Sequence, residues 1–389
     1  MSFDWWSLPG PSRFLDRICE DLTEGKHVCI RMPSNSPGHL KIYLKERWLD
    51  HSYYEWRELN LQYFRSEADS PADLLYETYI PEADPGEIRN AANLARHPSF
   101  GKMIVWVEGL DSSVWPQWDE FLREYAEMSR NLPEEDRTRF VVLLDGPLSG
   151  LRPQPSLLLS VRDWQDTVDR LDMLLYCRQN ASFPDAASSP LQGKLALELA
   201  AGLALWDRNL ADYLLVRPLH ELMDPAGLLA KFAETLGWGE TVPASWSAGT
   251  MNRFENRNEL HSAYLAAAGR WQDIRRRVWQ AQLNVLFPII EDLRHRLIAE
   301  FSDILTVPYV DDRGNRIEDL RDFELRHIWY QLRSLPLDSS LLGGIDNLRK
   351  LRNRLAHLDP IRGDELHLIE HVEKMRETLS SALPEMLSV

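Results

Sequence analysis

The sequence is poor in cysteine and has no long apolar run. Its three cysteines, Cys19, Cys29 and Cys177, are widely spaced among 389 residues. They fit neither a disulfide framework nor a metal knuckle, so a reducing, cytoplasmic compartment is expected. No stretch approaches the roughly 18 apolar residues of a membrane span. The opening segment, MSFDWWSLPGPSRF, lacks the basic flank and apolar core of a secretory signal. Neither a membrane protein nor a secreted, disulfide-rich protein is expected.

Cations are also in the minority. The chain has 44 Lys and Arg against 60 Asp and Glu, a net charge of −16, which argues against a protein that coats nucleic acid non-specifically. The excess of acidic over basic residues is uneven along the chain. From residue 271 onward there are 17 cations against 20 anions, and the cations gather at 275–277 and 349–354. A local basic strip can still bind a phosphate chain.

The first 165 residues alternate between strand-like and helix-like segments. The clearest strands are continuous apolar runs at 102–111 and 139–146, typical of strands covered on both faces. Three further strands are predicted at 27–32, 56–62 and 157–164. The helices between them are expected at 12–24, at 39–49, after Ser70-Pro71 and from Asp84-Pro85. This alternation predicts an α/β domain with a parallel sheet.

The remainder is predicted to be almost wholly helical. Residues 166–270 form a helical connecting region, with a break at 184–190 and a loop at 238–249. Four helix-like segments follow in 271–389, and their short connections favour an antiparallel bundle. They span 271–304, about 319–334, 341–358 and 364–383. The predicted domains are therefore 1–165, 166–270 and 271–389.

The order of elements in the first domain resembles the core of a P-loop NTPase. The family's phosphate loop, G-x-x-x-x-G-K-[ST], falls on PSNSPGHL at 33–40, where Gly38 matches. His39 replaces the lysine and Leu40 the magnesium-binding hydroxyl, while Glu108 lies near the family's acidic strand end. The resemblance implies a degenerate P-loop-like domain without ATP hydrolysis, with Gly38, His39 and Glu108 as the remnant of a nucleotide site. Nucleotide sensing and a plain α/β scaffold are both compatible with this loop.

The candidate catalytic motif lies in the third C-terminal helix, where residues 352–357 have the sequence RNRLAH. It resembles the R-N-x-x-x-H motif of the HEPN superfamily, and the surrounding bundle fits that family. At about 100° per residue, Arg352 and His357 lie roughly 140° apart around the helix. Asn353, four residues before His357, shares its face. Pro360 ends the helix soon after His357, where the helix dipole favours a charged imidazolium.

These residue types suit RNA cleavage by an internal 2′-hydroxyl, which needs a general acid or base and a cation for the phosphorane charge. His357 is predicted to fill the first role and Arg352 the second, with Asn353 either orienting the histidine or holding a phosphate oxygen. Three neighbouring cations are predicted to bind the RNA backbone: Arg349, Lys350 and Arg354. The HEPN resemblance implies a homodimer with both motifs in one cleft, and neither a catalytic metal nor a cofactor.

Together these features predict a regulated, cytoplasmic endoribonuclease of a prokaryotic antiviral or toxin–antitoxin system. Its N-terminal domain would be a sensor that docks a protein partner from the same operon. The alternative is a non-enzymatic adaptor that uses the bundle for assembly.

A second motif, H-x-x-E-H at 367–371, matches the sequence pattern of a zinc site. Only 18 residues follow it, too few for that family's third ligand, so a polar helix face is expected there.

Overall fold

The computed structural model describes residues 4–49, 54–62, 70–84, 86–184, 189–239 and 241–381. The chain forms two compact units. The first consists of Met1–Asp172, Trp206–Asn209 and Thr241–His261, and the second of Met173–Leu205, Leu210–Glu240 and Ser262–Val389. Each unit thus combines segments that are distant in sequence. The division into three domains at residues 165 and 270 stays a prediction.

A five-stranded parallel sheet lies at the centre of the first unit, so the predicted sheet is confirmed. Its strands are β1 His27–Met32, β2 Glu55–Asn60, β3 Met103–Glu108, β4 Arg139–Asp145 and β5 Leu159–Asp163. The strand order is β2-β3-β4-β1-β5, with β1 paired to both β4 and β5. Five of the six residues of β3 are fully buried, because helices cover a parallel sheet on both faces.

Over the described part of the first unit, five α-helices lie wholly within it, and α1 and α3 begin with Pro in the first turn, as helix starts prefer. They are α1 Pro9–Thr23, α2 Leu40–Leu49, α3 Pro71–Tyr79, α4 Ala91–Arg96 and α5 Trp115–Ser129. Side chains of α3, α4 and α5 share one core cluster with alternate strand residues such as Val105 and Phe140. Each fully buried large apolar side chain stabilises the fold by about 1.5–3 kcal/mol.

The structure corrects two predictions in this part of the chain. Residues 251–260, expected to lie in a helical region, form a hairpin of β6 Met251–Phe254 and β7 Arg257–Leu260. Its two-residue turn, Glu255-Asn256, has both residues at positive φ, the geometry that matches strand twist. The helix predicted to open at Asp84-Pro85 is absent over residues 86–90, and Pro85 itself lies outside the described residues. The helix that follows begins at Ala91, where the Asn90 side chain accepts the Asn93 N–H at 2.8 Å.

The second unit is mainly helical. The helices described after α5 are α6 Arg170–Asn180, α7 Pro190–Ala204, α8 Arg208–Leu214, α9 Leu219–Met223, α10 Ala226–Thr235, α11 Ser262–Ala267, α12 Trp271–Glu300, α13 Leu325–Leu332, α14 Ser339–Ala356 and α15 His367–Ser381. Of these, α6 and α8 cross the boundary between the units, and the others belong to the second unit. A short antiparallel pair, β8 Tyr309–Val310 and β9 Arg316–Ile317, precedes α13. The long helix α12 packs against α7, α11, α13, α14 and α15.

The four helices predicted after residue 270 correspond to α12 to α15, and residues 382–383 of the last one lie outside the described range. Buried residues of α12 recur at helical spacing and form the stripe that the sequence predicted. They include Ile274, Val278, Leu286, Leu293 and Leu297. The assignment of this bundle to the HEPN family stays a prediction.

Candidate functional site

The predicted motif lies at the C-terminal end of α14, where the local sequence terminates the helix. His357 is the last residue before the chain turns, and Leu358 adopts the left-handed conformation with φ 60°. The N–H of Asp359 then returns to the carbonyl of Arg354 at 3.0 Å, which is the Schellman arrangement. Pro360 cannot continue a helix. The motif therefore occupies a helix end, as predicted.

Helix α12 holds this end in place through buried polar contacts. The Nε1–H of Trp279 donates to the carbonyl of Leu355 at 2.7 Å. The fully buried Gln282 exchanges two hydrogen bonds with the backbone of Ile361, both at 2.7 Å. Buried amides that lose such partners are costly, so these contacts keep the turn after His357 in one position.

The side chains of Asn353 and His357 are both exposed on this turn. Neither makes a side-chain hydrogen bond or ion pair with any residue that the structure describes. Being four residues apart, they lie on the same helix face. The pair is thus available to an external ligand.

Unlike Asn353 and His357, the Arg352 side chain lies beside two carboxylates, neither of which was predicted from the sequence. Its Nε atom is 3.8 Å from Glu291 Oε1, and its Nη2 atom is 3.9 Å from Glu324 Oε1. Both distances exceed normal hydrogen-bond length. Glu291 comes from α12 and Glu324 precedes α13, so no local spacing around the motif signals them. A phosphate would compete with these two carboxylates for the guanidinium group.

The cations predicted to bind RNA are engaged within the chain. Arg349 donates to Asp346 Oδ1 at 2.6 Å and Lys350 contacts Asp346 Oδ2 at 2.7 Å. Arg354 is bound more firmly. It donates to Asp359 at 2.9 Å, to Glu365 at 2.6 Å and to the carbonyl of Pro360 at 2.7 Å. Arg354 therefore holds the loop that follows the motif, and a phosphate contact would require it to exchange partners.

The H-x-x-E-H segment lies at the start of α15. The rings of His367 and His371 are 6.1 Å apart, and the Nδ1 of His371 contacts the backbone carbonyl of His367 at 2.6 Å. This contact directs one ring nitrogen of His371 into its own helix. Within the described ranges, no group of three or more His, Cys, Asp or Glu residues is arranged to hold a metal ion.

In the first unit, the structure places residues 33–39 between β1 and α2, at the carboxyl end of the sheet. Gly38 is exposed, and its carbonyl accepts the indole N–H of Trp6 at 2.9 Å. His39 is exposed with φ 70°, and its carbonyl accepts the N–H groups of Ile42 and Tyr43. Both predicted residues thus use their backbone carbonyls for contacts at the start of α2.

A segment of the same unit covers this loop. The N–H of Ser34 donates to the carbonyl of Ser247 at 3.0 Å. A Cβ on Gly249, which has φ 74°, would lie 2.4 Å from the carbonyl oxygen of Ser34. The ring of Trp246 packs on the guanidinium of Arg31 at 5.1 Å. The Ser34 N–H, which a phosphate-binding loop would direct at phosphate, is already bonded to the carbonyl of Ser247. The loop therefore differs from a phosphate-binding loop in its contacts as well as in its sequence.

Glu108, the third predicted nucleotide-site residue, belongs to an ion-paired cluster. Its Oε1 accepts from Lys41 Nζ at 2.8 Å, and Lys41 also contacts Glu58 at 3.0 Å. Burial alone would lower the pKa of Lys41, but the two ion pairs together raise it. The indole N–H of Trp106 donates to Glu108 Oε2 at 2.7 Å. Lys41 was not among the predicted residues, although it lies only two residues after His39.

Comparison with known proteins gives little further information. No family model matches the chain, and no curated protein matches it. Among solved structures, Cdc6p from Pyrobaculum aerophilum aligns over 94% of this chain and 95% of its own, with 12% sequence identity and a TM-score of 0.31. No helix within the described residues is long and apolar enough to cross a membrane.

Proposed function

We propose that this protein is an endoribonuclease whose site is formed by Arg352, Asn353 and His357. The observation that carries the proposal is the exposed Asn353–His357 pair, without side-chain partners in the described chain, on a helix end that α12 holds in place. The R-N-x-x-x-H motif supplies the reaction class through its resemblance to HEPN ribonucleases.

In the proposed reaction, the 2′-oxygen of a nucleotide attacks the adjacent phosphorus, and the bond from phosphorus to the 5′-oxygen breaks. His357 transfers a proton as general base or general acid. Arg352 stabilises the charge that develops on the phosphorane oxygens, and Asn353 orients the imidazole or a phosphate oxygen. The products are a 2′,3′-cyclic phosphate and a 5′-hydroxyl.

The test is cleavage of labelled RNA by the purified full-length protein, with analysis of the product ends. Loss of a general acid or base typically lowers the rate by about a hundredfold to ten-thousandfold, so His357→Ala should be nearly inactive. Arg352→Ala should match it, and Asn353→Ala should be milder because the helix still orients His357. Cyclic phosphate ends are expected.

His367→Ala and His371→Ala are matched controls, since these histidines lie in the same unit on α15 but outside the motif. Their activity should equal that of the wild type, as should wild-type activity in EDTA. If no RNA is cleaved with cellular partners added, and expression of wild type and His357→Ala arrests growth equally, the proposal is wrong.

One observation favours a second function, that of a non-enzymatic adaptor. The cations around the motif face carboxylates of the same chain, namely Asp346, Asp359, Glu365, Glu291 and Glu324. Such pairing reduces the attraction for a phosphate backbone. An adaptor would retain assembly with its partner in His357→Ala and Arg352→Ala, and would cleave no RNA in any form.

A further inference from the structure

A second candidate site lies in the first unit, whereas the motif described above belongs to the second. A cavity of about 320 Å³ opens between α1 and the segment that follows β5. Its volume is at the small end of the range for small-molecule pockets. The lining includes three arginines, two from successive turns of α1 and one from β5: Arg13, Arg17 and Arg162.

The charged side chains that line the cavity leave an excess of positive charge. Its acidic lining residues, Asp163 and Asp166, pair with arginines outside the lining: Asp163 with Arg31 at 3.2 Å and Asp166 with Arg253 at 3.5 Å. Arg162 donates to the buried Asp21 at 2.5 Å. The lining therefore retains two positive charges, those of Arg13 and Arg17.

Arg13 and Arg17 are exposed, and neither forms an ion pair or a side-chain hydrogen bond with residues in the described ranges. They are four residues apart on α1. Like charges at this spacing repel and destabilise a helix slightly. The buried carboxylate of Asp172 attracts Arg13 through space without forming an ion pair with it, and Arg17 has no carboxylate partner within the described chain. A bound anion would offset this repulsion.

The walls of the cavity are held rigidly. The carboxylate of Asp172, only 1% exposed, accepts the N–H of Gly10 and that of Asp169, both at 3.0 Å. A Cβ on Gly10 would lie 2.0 Å from the carbonyl oxygen of Thr167, so α1 and this segment are in direct contact. Phe14 packs edge-on against Trp164 at 5.0 Å. These contacts hold the backbone of α1, which carries both arginines, against the segment that follows β5.

We infer that this cavity binds a small molecule that carries a phosphate monoester. Such a group has a charge of about −1.5 to −2 at pH 7, which matches the two unpaired guanidinium groups. Arginine also binds phosphate oxygens in a bidentate manner. The partly exposed Val161 in the lining offers apolar surface to the carbon part of the molecule. This inference does not depend on ribonuclease activity.

Calorimetric titration of the full-length protein at about 0.15 M salt, where distant surface charges are largely screened, tests the inference. The probes are inorganic phosphate, ribose 5-phosphate and ribose. Both phosphates should bind and ribose should not. Tighter binding of ribose 5-phosphate than of inorganic phosphate would identify the organic ester as the source of the phosphate group. Equal binding would identify free phosphate as the ligand and overturn the monoester assignment.

The variants locate the binding. Arg13→Gln with Arg17→Gln should weaken binding by about tenfold or more, since two charge-assisted contacts are lost. Arg13→Lys with Arg17→Lys should retain part of the affinity. Arg96→Gln, a matched control at an exposed arginine on α4 outside the lining, should bind as the wild type does. All substitutions are on the surface, and an unchanged unfolding temperature will verify the fold. Absence of phosphate binding at millimolar concentration, or undiminished binding by the double glutamine variant, overturns the proposal.

Discussion

The Nε atom of Arg352 lies 3.8 Å from Glu291 Oε1, close enough for attraction but too far for a hydrogen bond. Glu291 also accepts a hydrogen bond from Arg294 at 2.7 Å, through its other carboxylate oxygen. The motif arginine therefore shares a carboxylate with another arginine from α12. This relationship connects the proposed catalytic cation to the helix that holds the motif, and it leads to the first prediction.

Glu291→Gln should increase the affinity of the proposed site for RNA by up to about fivefold, because a partly exposed ion pair contributes at most about 1 kcal/mol. The amide oxygen can still accept from Arg294, so the fold should persist. The measurement is the KM for RNA cleavage. Asp292→Asn is the matched control, since this neighbour pairs with Arg296 instead. A KM that rises or stays constant in Glu291→Gln would contradict the proposed role of Arg352.

ATP turnover should be negligible, because His39 and Leu40 replace the lysine and hydroxyl that act on phosphate and magnesium. We further expect that His39→Lys with Leu40→Thr does not create an ATPase, since Ser247 already accepts the Ser34 N–H. Phosphate release assays measure both proteins. If the wild type hydrolyses ATP and Gly38→Asp abolishes it, the placement of the phosphate loop on residues 33–40 is wrong.

The full-length protein is expected to be a homodimer through its C-terminal bundle. Leu358 directly follows the motif and is 65% exposed in a left-handed conformation, an unusual place for a large apolar side chain. Leu358→Asn removes the apolar surface but tolerates this conformation, so it should shift the protein toward a monomer in light scattering. Leu171→Gln, at a leucine that is 60% exposed on α6, should not. A wild-type monomer at tens of micromolar would rule out the paired site.

Stability should fall as the pH drops below about 6.5, partly through His27. Its ring is buried and accepts the N–H of Phe140 at 3.1 Å, while burial and the nearby Arg139 and Arg137 lower its pKa to about 3. The unfolded chain, with a histidine pKa of about 6.5, binds a proton between these values that the folded chain does not. Each proton that only the unfolded chain binds lowers the free energy of unfolding by up to about 1.4 kcal/mol per pH unit.

Urea unfolding between pH 4.5 and pH 8 will measure this dependence. His27→Asn keeps a hydrogen-bond acceptor but cannot bind the proton, so its slope below pH 6.5 should be smaller than that of the wild type. His327 has a lowered pKa for the same main reason, desolvation, and retains its own contribution in the variant. Parallel slopes in the two proteins would show that His27 does not cause the loss.

Local patterns predicted most of the secondary structure because hydrogen bonding within a helix and burial along a strand depend on neighbouring residues. The apolar runs at 102–111 and 139–146 became β3 and β4, and the stripe of α12 appeared where its spacing placed it. The hairpin at 251–260 was missed, since its Glu255-Asn256 turn lacks the glycine that usually signals this conformation.

The motif and its position at a helix end follow from local sequence: the residues RNRLAH, the face shared by Asn353 and His357, and termination before Pro360. The residues that surround the motif depend on tertiary packing. It brought Glu291 and Glu324 to Arg352 and placed Ser247 on the loop after β1. These partners are tens to hundreds of residues away in sequence. Their proximity results from packing of whole elements, which optimises buried apolar surface across the unit and leaves no spacing rule in the local sequence.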